Sequence, residues 1–221
     1  MTWVGPALAA HLEPIARHYG LSRRLPRRDA VALTFDDGPH PQGTPAVLAL
    51  LERHGARATF FLVGEQIVRD RALAREIVDA GHEVALHGYR HLLLLRRRTG
   101  AVAADFDRAL AVVEDATGVS PTLYRPPYGV LSTGALDELR RRGWRPLLWS
   151  RWGRDWERRA TAQTIARRAT RRLAPGDVVL LHDSDAYSSV GSWSRTAAAL
   201  PSILTAAATL GVAADAVTPA T

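Results

Sequence analysis

Ala30-Val31-Ala32-Leu33-Thr34-Phe35-Asp36-Asp37-Gly38-Pro39-His40 decides how the rest of the chain is read. The apolar run to Phe35 has the character of a buried strand, and Gly38-Pro39 is a turn signal that ends it. Asp36 and Asp37 therefore belong at a strand-to-loop junction. Two neighbouring carboxylates rarely do the same job. Beside a bound cation one is held ionised as a ligand, and the other is free to accept a proton. Taken alone, Asp-Asp-Gly-Pro is also ordinary turn chemistry.

About fifty residues on, His87-Gly88-Tyr89-Arg90-His91 follows a second strand-like run, His82 to Leu86. If this segment turns helically, the two imidazoles share a face, the logic of paired zinc histidines. One carboxylate and two imidazoles make a three-ligand divalent-metal site, and the remaining carboxylate can serve as a base. Three protein ligands leave a coordination position open, the mark of a catalytic rather than a structural site. The spacing alone is weak, because loop histidines on an arginine-rich surface look the same.

The same arrangement recurs along the chain. Thr122–Tyr124 leads into Arg125-Pro126-Pro127-Tyr128-Gly129, Arg145–Trp149 into Ser150–Trp156, and Asp177–Leu181 into His182-Asp183. Helical patterns fill the intervals, at about Thr44–His54, Asp70–Ala80, Ala101–Thr117, Thr133–Arg142, Thr161–Leu173 and Ser194–Leu210. Alternating strands and helices predict a parallel sheet. Chemistry at the C-terminal ends of several strands predicts an α/β fold, an irregular (β/α) barrel of about seven parallel strands.

Together these residues resemble the five ordered motifs of the polysaccharide deacetylases, the NodB-homology group or carbohydrate esterase family 4. They are Thr34 to His40, His87 with His91, Arg125 to Gly129, Asp155-Trp156 and Leu181-His182-Asp183. The resemblance runs from about residue 29 to the end of the chain. It implies Asp37, His87 and His91 as metal ligands, for zinc above all, with cobalt, nickel or iron suited to the same donors. It implies Asp36 as the base that takes a proton from water, and His182 as the acid that protonates the departing amine. Asp155 would keep that imidazole charged, and Arg125 would orient Asp36 through a charge-assisted fork. The backbone N–H of Tyr128 would meet the developing oxyanion, and Trp156 and Leu181 would wall the acetyl pocket.

One departure stands out. The position after the first histidine, usually Ser or Thr in this family, is Gly88, which puts the loop geometry and the support of His91 in doubt. The segment Asp183–Trp193 is longer and more polar than a minimal loop, and reads either as a solvated loop or as a substrate wall or lid.

At 221 residues and 47% hydrophobic, the chain has material for a sizeable core. Residues 1–28 read as an N-terminal helix, about Pro6–His18, with a basic connector Ser22–Arg28; residues 29–221 read as the catalytic domain. The absence of cysteine excludes a disulfide framework and thiolate ligation. Met1 to Ala10 is apolar but short, lacks a basic start and is interrupted by His11 and Glu13. It makes a poor signal peptide, and the expectation is a cytoplasmic protein.

Net charge is +7, and all 29 basic residues are arginine. Clusters at Arg96–Arg98, Arg140–Arg142, Arg167-Arg168 and Arg171-Arg172 suit peripheral contact with an anionic membrane surface or with sugar phosphates. Nucleic acid is not an expected partner, because the arginines are scattered and no recognised motif accompanies them. The reading is a metal-dependent hydrolase removing an N-acetyl group from an amino sugar in a glycan, glycoside or lipid-linked sugar. A deformylase or O-acetyl esterase on a related sugar, and a catalytically silent sugar-binding module, stand as alternatives.

Overall fold

The structure is a computed structural model that describes residues 5–10 and 12–219. Its centre is β1 (Ala30–Asp36), buried at every position. A strand covered on both faces needs an unbroken apolar run rather than an alternating one, and Ala30 to Phe35 supplies it. β2 (Thr59–Leu62) and β7 (Val178–His182) pair with β1 on either side, both parallel. Outward from β2 lie β3 (Glu83–Leu86), β4 (Leu123–Tyr124) and β5 (Arg145–Pro146), and outward from β7 lies β6 (Arg151–Trp152). The short β8 (Ala213–Asp215) pairs with the first half of β1. The seven strands of the main path form the expected irregular barrel.

The barrel does not close. Among the described residues β5 and β6 are not paired, and the basic connector lies in that seam. Leu148 N–H donates to Ser22 O (2.8 Å), Leu25 N–H to Gly176 O (2.9 Å), and Arg24 meets Asp177 at 2.6 Å. The connector is thus part of the barrel wall. The helix expected over Pro6–His18 divides into a 3₁₀ turn, Gly5–Leu8, and α1 (Glu13–Tyr19), which Gly20 ends at φ 70°. His11 lies outside the described residues.

Helices pack around the strands: α2 (Gly43–Arg53), α3 (Gly64–Arg69), α4 (Arg71–Asp79), α5 (Thr99–Thr117), α6 (Thr133–Arg141), α7 (Ala162–Thr170) and α8 (Ser192–Thr209). Side-chain caps set several starts. Asp70 accepts from Leu73 N–H at α4, Ser132 from Ala135 N–H at α6, and Thr161 forms a capping box with Thr164 at α7. Phe35, Phe60 and Phe61 are wholly buried, and each stabilises the fold by roughly 1.5–3 kcal/mol relative to an exposed ring.

Two further expectations change. The strand expected over Arg145–Trp149 stops at Pro146, and β6 begins inside the polar cluster that was to follow it. The segment His87–His91 is a bend rather than a helical turn, with Gly88 at φ 87°. No described helix is long and apolar enough to cross a membrane.

Candidate active site

Every parallel strand delivers its C-terminal end to the same rim, and the chemistry-bearing residues collect there. Asp36 ends β1, His87 follows β3, Arg125 follows β4, Asp155 follows β6 and His182 ends β7. They surround a cavity of about 260 Å³ lined by Asp36, Asp37, His87, His91, Tyr128 and His182 and by an aromatic wall. Asp37 (φ 76°), Tyr128 (φ 60°) and Arg154 (φ 53°) are three of the four described non-glycine residues with left-handed backbone. Such conformations cost energy and collect at functional sites.

Asp37, His87 and His91 converge, with one potential donor atom from each lying within 4.8 Å of the others. His87 Nε2 is 3.4 Å and His91 Nε2 3.3 Å from Asp37 Oδ1, which is buried and has no hydrogen-bond donor. A buried, unsatisfied carboxylate oxygen facing two imidazole nitrogens is what a cation would complete. Protonation supports this. Burial alone would raise Asp37, but the imidazoles of His87, His182 and His91 outweigh it and hold the carboxyl at about 2. Burial lowers His91 to about 4 despite the nearby Asp37 charge, so its ring is neutral at pH 7. His87 Nδ1 lies 2.8 Å from the Arg125 carbonyl, which can only accept, so that nitrogen carries a proton and the ring is turned with Nε2 towards Asp37. The residues present fit a divalent metal.

Asp36 is set apart from this trio by Arg125. The wholly buried guanidinium gives one nitrogen to both Asp36 Oδ1 (2.6 Å) and Thr34 Oγ1 (2.8 Å). Its other nitrogens donate to Leu147 O and Leu148 O, both at 3.1 Å, and its plane lies 4.0 Å over the Phe61 ring. The two-pronged fork expected on Asp36 is therefore absent. Arg125 spends its geometry on backbone carbonyls and holds Asp36 through a single charge-assisted bond.

On the opposite side His182 Nδ1 meets Asp155 Oδ1 at 2.9 Å, and Asp155 Oδ2 accepts from His182 N–H (2.7 Å) and the Thr196 hydroxyl (2.8 Å). Burial would lower this histidine, but the Asp155 charge and hydrogen bond, with Asp37 and Asp36 behind them, raise it to about 10. An imidazolium therefore faces the cavity through Nε2, 3.9 Å from Asp37 Oδ2.

Of the expected substrate contacts, Trp156 and Tyr128 line the cavity, and Trp156 sits edge-on to His182 at 5.5 Å. Leu181 does not. Side chains alternate along a strand, so Leu180 shares the face of His182 and enters the cavity. Leu181 packs beneath Gly153 on the other face, so the wall residue is Leu180.

Tyr187 and Ser188 line the cavity too, so the 183–193 segment forms part of a wall, one of its two expected readings; Trp149 and Trp152 line it as well. Sequence reading passed over other contributors. Asp105 on α5 accepts from Tyr89 N–H (2.9 Å) and Arg90 N–H (3.2 Å), shaping the bend between the two histidines. Asp183 accepts from Thr44 and packs so close to Gly38 that a Cβ there would lie 2.6 Å from its carboxylate.

A family model described as polysaccharide deacetylase matches residues 23–147, ending before Asp155 and His182. The peptidoglycan-N-acetylglucosamine deacetylase PgdA of Listeria monocytogenes is 35% identical over 153 residues, which cover 69% of this chain and 32% of that protein. This chain thus spans only about a third of that relative's length. A chitooligosaccharide deacetylase of Azorhizobium caulinodans is 32% identical over 173 residues, covering 78% of this chain and 82% of that one. Among solved structures, the Bc1960 peptidoglycan N-acetylglucosamine deacetylase superposes with a TM-score of 0.84 at 27% identity, covering 91% and 92% of the two chains.

Proposed function

Because this chain belongs to the polysaccharide deacetylase family, we propose that it is a metal-dependent hydrolase that removes the N-acetyl group of an amino sugar. The observation that carries this reading is the orphaned Asp37 Oδ1, faced by His87 and His91 and flanked by a separately held carboxylate and a charged imidazole. Asp37, His87 and His91 would hold the ion. The mixed nitrogen and oxygen donors favour zinc, while cobalt, nickel and iron suit the same set. When bound, the ion lowers the pKa of a coordinated water towards about 7 and polarises the acyl carbonyl.

The chain's own residues do the rest. Asp36, fixed by Arg125, accepts the proton from the attacking water. The backbone N–H of Tyr128 donates to the carbonyl oxygen as it gains charge. His182 gives its Nε2 proton to the sugar nitrogen as the C–N bond breaks, so acetate and a free amine leave. Asp155 keeps that proton in place beforehand. Leu180, Trp156 and Trp152 surround the acetyl methyl and exclude bulk water.

The relatives named for peptidoglycan and for chitooligosaccharides support N-acetylglucosamine-containing substrates. The test is acetate release from N-acetylhexosamine monomers, oligomers and aglycone-linked sugars, with and without chelator. The reading predicts release that chelator abolishes and divalent ion restores. Release indifferent to chelator overturns it, and formate from formylated analogues without acetate release would move the activity to a deformylase.

A further inference from the structure

His91 is the least supported member of the trio. Its partner His87 is oriented by the Arg125 carbonyl, whereas His91 Nδ1 is buried with no hydrogen-bond partner. The neighbouring position offers no remedy. Gly88 has no hydroxyl, and a Cβ there would lie 3.0 Å from Arg90 O and 3.1 Å from Asp105 Oδ2, on a backbone at φ 87°. A side chain at this position would be crowded and strained, and glycine itself offers nothing that could reach across to His91.

What does hold His91 comes from the far side of the cavity. The Tyr187 ring stacks face to face on the imidazole, with centroids 4.3 Å apart and 14° between planes, and the edge of Tyr128 closes the arrangement at 4.5 Å. Tyr187 is itself fixed. Its hydroxyl donates to Glu65 Oε1 (2.5 Å) and accepts from Gln66 Nε2 (2.9 Å), both on α3. The loop beneath it is tied down by Asp185, which meets His40 Nε2 at 3.1 Å and accepts from Gly191 N–H at 2.6 Å. The loop is a strap from β7 to α3, and its Tyr187 side chain lands on His91.

We propose that Tyr187 is a positioning residue for His91, setting the imidazole plane by stacking where other ligands are set by hydrogen bonds. This rests on the reading of Asp37, His87 and His91 as the metal site. A rotation of the unsupported ring would carry Nε2 away from Asp37 Oδ1. Tyr187 opposes that rotation because the stack is lost when the planes cease to be parallel. Hydrogen-bonded groups that orient a ligand typically govern metal affinity by about 10–100-fold, and here the stack takes their place.

The experiment is zinc titration of the metal-free full chain against a chromophoric chelator, for the parent and for Tyr187→Phe, Tyr187→Leu and Tyr187→Ala. Phenylalanine keeps the stack and is expected to bind within about 3-fold of the parent. Leucine keeps bulk without a ring face, alanine keeps neither, and both are expected to bind about 10-fold or more weakly. Thermal unfolding of the metal-free proteins reports any general loss of structure, and rescue by phenylalanine separates the stack from simple filling. Leucine or alanine variants that bind as tightly as the parent overturn the role of Tyr187 alone. A parent chain that takes up no ion overturns the metal site, and this proposal with it.

Discussion

The floor of the cavity and its outer wall are built on different principles. On the floor, Asp36, Asp37, His87, Arg125 and Asp155 are at most 3% exposed and come from strand ends, with Arg125 and Asp155 each making several hydrogen bonds to other elements. On the wall, Tyr128 is 58% exposed, and Trp152, Trp156, Tyr187 and Ser188 stand on short edge segments and loops. In the proposed mechanism the floor carries the groups whose relative positions decide whether a bond breaks. The wall carries apolar and aromatic faces, some of which bear on the floor: Tyr187 and Tyr128 touch His91, and Trp156 touches His182.

Substitutions on the floor should break the chemistry, beginning with the largest effect. Asp37→Ala removes a ligand, and should abolish both metal uptake by elemental analysis and acetate release. Asp36→Asn keeps shape and loses the base, so it should retain the metal while turnover falls by about 10²–10⁴-fold. Arg125→Ala leaves the carbonyls and Asp36 without their donors, and should cost about 3–5 kcal/mol in denaturant unfolding, the scale of a broken buried pair.

Asp155→Asn tests the imidazolium. Because Asp155 raises His182 to about 10, the proposed acid is charged below about that pH and neutral above it. Removing the Asp155 charge should move the alkaline limb of kcat to lower pH by about one unit or more. A limb that stays in place would assign the acid elsewhere.

The smallest effects sharpen the contrast on one strand. Leu181→Ala should destabilise by about 2–5 kcal/mol with kcat/KM of the folded protein unchanged. Leu180→Ala should raise KM while costing less stability. The reverse pattern would return Leu181 to the cavity.

Much of the floor was legible because it is written in short, local patterns. An apolar run before two carboxylates, and a histidine at the end of another run, place chemistry at strand ends before any coordinates exist. The wall was less legible because no local pattern encodes it. Tyr187 reaches His91 from nearly a hundred residues away, and only the β7-to-α3 crossing brings them together. Leu180 could have been found, since alternation puts it with His182 and puts Leu181 opposite. Trp152 had no such signal. β2 carries no polar cluster at its end, so a reading built on motifs passes over it although it is central. The bend at His87–His91 escaped because helical spacing and a bend held by Asp105 both bring residues four apart together.

The sharpest test of the whole account is calorimetric titration of the metal-free protein with a divalent ion, run beside Asp36→Asn and Asp37→Ala. One site per chain in the parent, kept in Asp36→Asn and lost in Asp37→Ala, is the predicted result. Binding that survives in Asp37→Ala, or disappears in Asp36→Asn, would contradict the division of labour between the two carboxylates.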